Sequence, residues 1–68
     1  MRTAEKFATA MAQVRWFVRF HNRSVWLVPQ ASEYRLSVVK PKPTDLPSGT
    51  TALLFGTDES TLETVESF

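Results

Sequence analysis

The sequence predicts an α+β domain in which an N-terminal helix and a C-terminal helix accompany a small antiparallel sheet of three to four strands. Three observations predict it. An apolar stripe at helical spacing opens the chain, and aromatic and β-branched runs punctuated by turn residues fill its middle. A segment led by Gly56, rich in acids and carrying apolar residues three apart, closes it. A small curled β-barrel with helical ends is the competing arrangement. At 68 residues the chain has room for one domain, 1–68. A domain of this size hides only about 60% of the surface its unfolded form exposes, so one compact core must use nearly every large apolar side chain.

The first element is a helix over 3–13. Thr3 offers an N-cap and Glu5 an acid in the first turn, while Ala4, Phe7, Ala8, Met11 and Val14 recur along one narrow stripe. An Ala-rich segment this short is not stable alone and must dock on something.

A β-meander over 14–39 follows. Val14 to Phe20 and Val25 to Val28 flank the polar break His21-Asn22-Arg23-Ser24, which reads as a β-hairpin over 14–28. A turn centred on Asn22 and Arg23 sets Phe20 opposite Val25, Val18 opposite Leu27 and Trp16 opposite Pro29 as the core side. Arg19 with Trp26 and Phe17 with Val28 then share the other side, with Arg15 and His21 beyond. Tyr34, Leu36 and Val38 alternate with Arg35 and Ser37, which predicts a third strand over 34–39 with Arg35 on the side of Arg15, Arg19 and Trp26.

Residues 40–50 hold Pro41, Pro43 and Pro47 and read as a stiffened loop without Pro-x-x-Pro spacing. Over 51–68 a strand, 51–55, leads through Gly56 to a helix capped near Thr57 or Asp58. Its inward stripe is Leu62, Val65 and Phe68.

Charge is unevenly placed. All eight Lys and Arg and only two acids lie between Arg2 and Lys42, a net of +6, whereas five acids and no base follow, a net of −5. Such a chain offers a basic face for a partner, or two halves that attract each other.

Cysteine is absent, which removes disulfides, thiolate metal sites and cysteine nucleophiles. His21 is the only histidine and has no carboxylate or serine partner by spacing, and Gly49 and Gly56 stand apart rather than in a phosphate loop. Asp58 and Glu59 are explained by helix capping. The expectation is a non-catalytic protein with no cofactor and no metal. No stretch approaches membrane-spanning length, so the expected setting is cytoplasmic, without membrane attachment.

Arg15, Arg19, Arg23 and Arg35 around Phe17 and Trp26 form the expected partner-binding face. Arg and Trp dominate protein interfaces, which points to a small regulatory module that contacts another protein or itself as a homo-oligomer. Cations with flat rings also suit single-stranded RNA or DNA, the alternative on the same residues.

Overall fold

The computed structural model describes residues 3–4 and 6–68, with side chains from Lys6 onward. It has a two-residue strand β1 (Thr3–Ala4), one helix α1 (Phe7–His21), and strands β2 (Val25–Pro29), β3 (Tyr34–Ser37), β4 (Thr51–Phe55) and β5 (Thr61–Glu66). All neighbouring strands are antiparallel, in the order β1-β3-β2-β4-β5. The fold is α+β, but among the described residues it has one α-helix rather than two, with a single 3-10 turn at Pro43–Asp45.

The expected hairpin over 14–28 is corrected: its first half is helix. The stripe through Ala10 and Val14 continues to Val18 at four-residue steps, and all three are fully or almost fully buried. Burial of that stripe on the sheet outweighs the strand preference of aromatic and β-branched residues. The helix starts four residues later than its predicted N-cap. Thr3 lies in β1, Lys6 caps without a side-chain bond, and Ala10 N donates to Lys6 O at 3.0 Å. The expected place of Glu5 in the first turn lies outside the described residues. Asn22, expected in a hairpin turn, ends the helix in the left-handed conformation at φ 51° and ψ 47°. Asparagine tolerates that region, and both a hairpin turn and a helix stop use it.

The C-terminal helix is also corrected. Thr61–Glu66 is a strand paired with β4, with Ala52 opposite Val65 and Leu53 opposite Thr64. Thr61, Thr64 and Val65 are β-branched, and β4 would otherwise present a row of unpaired backbone groups at the sheet edge. The residues read as a capping site make the connecting turn. Gly56 N donates to Ser60 O at 2.8 Å, and Glu59 N donates to Gly56 O at 2.9 Å. Of the expected inward stripe only Val65 is buried, whereas Leu62 and Phe68 are exposed.

β2 is the central strand and is buried on both sides. Val25 and Leu27 pack with Ala10, Val14 and Val18 of α1, Leu36 of β3 and Phe55 of β4. Trp26 and Val28 point the other way, to Ala52, Val65 and Leu46. β3 and β4 flank β2 and are both antiparallel to it, so the chain between them must cross over β2. Residues 38–50 make this crossover on the face opposite the helix, where Leu46 is buried beside Trp26. Its end is fixed by a turn in which Thr50 N donates to Pro47 O at 3.2 Å and Gly49 takes φ 79°. Glycine at that turn position carries no Cβ penalty. The expected Pro-rich loop is therefore the lid of a second small core, pinned further by an ion pair between Lys40 and Glu63 of β5.

Candidate functional site

The outward side of α1 carries an apolar ridge that the core leaves over. Ala8, Ala12, Trp16 and Phe20 recur every fourth residue and are all exposed, because the opposite stripe, Ala10, Val14 and Val18, faces the sheet. Trp16 is 44% and Phe20 69% exposed. Their rings stack at 4.8 Å between centroids with planes 9° apart, the arrangement that i, i+4 spacing on a helix permits. His21 closes the cluster, 4.4 Å from the Phe17 ring centroid and 5.0 Å from that of Phe20.

Beside this stack an apolar groove of about 370 Å³ runs between the helix end and the end of β3, lined by Trp16, Phe17, His21, Leu36, Val38 and Val39. Ser37 shapes its far wall. The Ser37 Oγ donates to Val39 O at 3.0 Å and accepts from Val39 N at 3.1 Å, which ends the strand and leaves Val38 and Val39 exposed. A side chain bonded to backbone two residues on offers an alternative to the sheet ladder, so β3 stops at Ser37 rather than running to 39.

On the other flank Arg15 and Arg19 stand one turn apart and share one carboxylate. Arg15 Nε donates to Glu59 Oε1 at 2.7 Å, and an Arg19 guanidinium nitrogen donates to Glu59 Oε2 at 3.3 Å. Glu59 sits in the β4–β5 turn at φ 66°, a left-handed backbone that a glutamate seldom adopts. One acid of the acidic half thus meets two bases of the basic half across the helix and the turn. The neighbouring Asp58 carboxyl is held below its ordinary value because the Ser60 hydroxyl, at 2.6 Å, and the Ser60 backbone N–H, at 3.2 Å, both donate to it.

The residues expected to form one basic and aromatic sheet face are distributed differently. Arg15 and Arg19 are together, on the helix. Phe17 is half-buried against the core beneath that helix, and Arg23 is exposed just beyond the helix end. Trp26 is only 4% exposed and belongs to the second core. Arg35 lies opposite Val28 on that same far side, so the sheet separates it from Arg15 and Arg19. Trp16, Phe20 and Val38, expected inside, are instead the exposed apolar surface. Extending the Ala10–Val14 stripe to Val18 would have placed Trp16 and Phe20 outside.

Among the described residues no three His, Asp or Glu side chains gather as a metal site, and no helix is long and apolar enough to cross a membrane. Compared with models of known protein families, with curated proteins and with solved structures, the chain finds no match.

Proposed function

We propose that this chain is a non-catalytic interaction module that binds protein through the outward face of α1, with Trp16 and Phe20 as anchors. One observation carries the reading: in a domain with so little core to spare, two large aromatic rings stand stacked and exposed on a helix that is otherwise firmly seated on the sheet. Exposed apolar surface of this kind marks interaction sites, and aromatic and arginine side chains supply most of their binding energy. The helix presents the rings on a rigid element, so little ordering is required on contact.

Protein is favoured over nucleic acid because Glu59 already takes up Arg15 and Arg19, and phosphate binding would have to displace that carboxylate. The two rings also stack on each other rather than lying open for a base. The complementary surface is an apolar seam of small side chains that receives two rings.

Photo-crosslinking tests the reading. A photoreactive residue put in place of Arg19, a long exposed side chain beside Trp16 and Phe20, in the full chain and in cells that make it, is expected to give a protein adduct that disappears when Phe20 is replaced by Ala. The same residue placed at Thr57 serves as the control. Adducts with nucleic acid, or none specific to the helix face, overturn it.

A further inference from the structure

We infer that the partner fitted by this face is a second copy of the chain, joined through an antiparallel pair of α1 helices. The inference rests on the docking reading of the same face and names its occupant. The exposed ridge is small in its first half, Ala8 and Ala12, and large in its second, Trp16 and Phe20. A two-fold axis that sets Ala12 of one copy against Trp16 of the other also sets Ala8 against Phe20. Each aromatic then meets a methyl-sized side chain, and the ridge is complementary to itself, as an isologous interface requires. The residues follow one i, i+4 row, and packing such rows together is the commonest way two helices cross, at roughly −50°.

Charge agrees with the pairing. The antiparallel sense keeps like helix ends on opposite sides of the crossing, so the two dipoles do not oppose the pairing. Helix α1 contains no acid and carries Arg15 and Arg19 along the seam, and the Glu59 carboxylate offsets half of the positive charge that these would bring together from two copies. A seam along one helix of 15 residues is short beside a standard interface of roughly 800 Å² per partner. Area alone does not fix affinity, and with two aromatic anchors on so short a seam the expected association is in the micromolar range.

Sedimentation velocity from micromolar to millimolar concentration reads the association directly. The wild-type chain is expected to pass from monomer to dimer, and Trp16→Ala to weaken dimerisation by about tenfold or more. Ala12→Trp places two large rings opposite each other and should abolish the dimer. The swap Ala12→Trp with Trp16→Ala restores one large and one small residue on each side and should recover it.

Disulfide trapping gives a second measurement on a chain that lacks native cysteine. Ala12→Cys mixed with Trp16→Cys should form the mixed dimer in preference to either self-linked one. A wild-type chain that stays monomeric throughout, an Ala12→Trp chain that dimerises normally, or cysteines that pair without this preference would each overturn the inference. Crosslinks to a different protein alongside a monomeric chain would leave the docking reading standing and remove only the second copy.

Discussion

Arg15 of α1 and Glu59 of the β4–β5 turn, 44 residues apart in sequence, meet at 2.7 Å, and Glu59 holds this contact from a left-handed backbone at φ 66°. The pair ties the helix to the turn that joins β4 to β5. It also explains where the charge asymmetry of the chain is spent: on a contact between its halves rather than on an open basic face.

The two effects at Glu59 can be separated by substitution. Glu59→Ala keeps the unfavourable backbone and loses both arginine contacts, which are half exposed and together worth about 1 kcal/mol. Glu59→Gly loses the same contacts but relieves roughly 1–2 kcal/mol of left-handed strain. Urea denaturation should therefore show Glu59→Ala less stable than wild type by about 1 kcal/mol and Glu59→Gly at or above wild type. Equal losses in the two variants would contradict the strain argument.

The two tryptophans should behave oppositely. Trp26→Ala empties the second core beneath the crossover and should cost about 3–5 kcal/mol, a large part of the roughly 3–10 kcal/mol available to a domain of this size. Trp16→Ala removes a ring from the surface and should cost about 1 kcal/mol, mostly its stacking on Phe20. Acrylamide quenching gives an independent check on single-tryptophan chains. Emission should be readily quenched in Trp26→Phe, which retains Trp16, and protected in Trp16→Phe.

Helix termination at Asn22 predicts a further contrast. Asn22→Gly should be neutral or slightly stabilising, since glycine adopts the left-handed stop freely, whereas Asn22→Val should lose about 1–2 kcal/mol. Thermal melts monitored by circular dichroism distinguish these outcomes from a true hairpin turn, in which the helical signal over residues 14–21 would be missing.

The β4–β5 turn has its own pH signature. The Asp58 carboxyl titrates below its ordinary value because Ser60 donates to its charged form through both hydroxyl and backbone N–H. Since the folded value lies below the unfolded one, this contribution is fully present above the unfolded value and is lost as pH falls through the folded one. Carboxyl-detected NMR should find the Asp58 midpoint depressed in the wild-type chain and moved up towards the ordinary aspartate value in Ser60→Ala.

Some of this architecture was legible locally. Val25 to Val28, residues 34–39 and Thr51 to Phe55 read as strands, the second of which ends at Ser37 in the structure, because short β-branched and apolar runs bounded by turn residues have few other ways to satisfy both side chains and backbone. Val14 to Phe20 did not read correctly, because its residues fit two periods at once. Alternation through Val14, Trp16, Val18 and Phe20 suits a strand, while Ala10, Val14 and Val18 suit a helix. Asn22 did not arbitrate, since its left-handed backbone serves either element. The closing segment was ambiguous in the same way, with Leu62, Val65 and Phe68 at helical spacing and Thr61, Thr64 and Val65 favouring extension.

The candidate surface shows the same division. A strand over 14–20 puts Trp16 and Phe20 on the core side and Phe17 on the other, whereas the helix leaves Trp16 and Phe20 exposed and half-buries Phe17. Trp26 does point away from Val25 and Leu27, but the crossover covers that side and buries it.

The sequence by itself determined the α+β class, which segments are apolar, where most turns fall, and that the first part of the chain is basic and the last part acidic. Only the tertiary structure decided that residues 14–21 are helix and 61–66 strand, that Trp26 is buried while Trp16 is not, and that Glu59 takes up the arginines. The physical reason is that local preferences for helix and strand differ by about 1 kcal/mol or less per residue. Burying the Val14 and Val18 stripe and pairing the open edge of β4 involve many side chains and backbone groups at once, and those cooperative gains depend on neighbours far away in sequence.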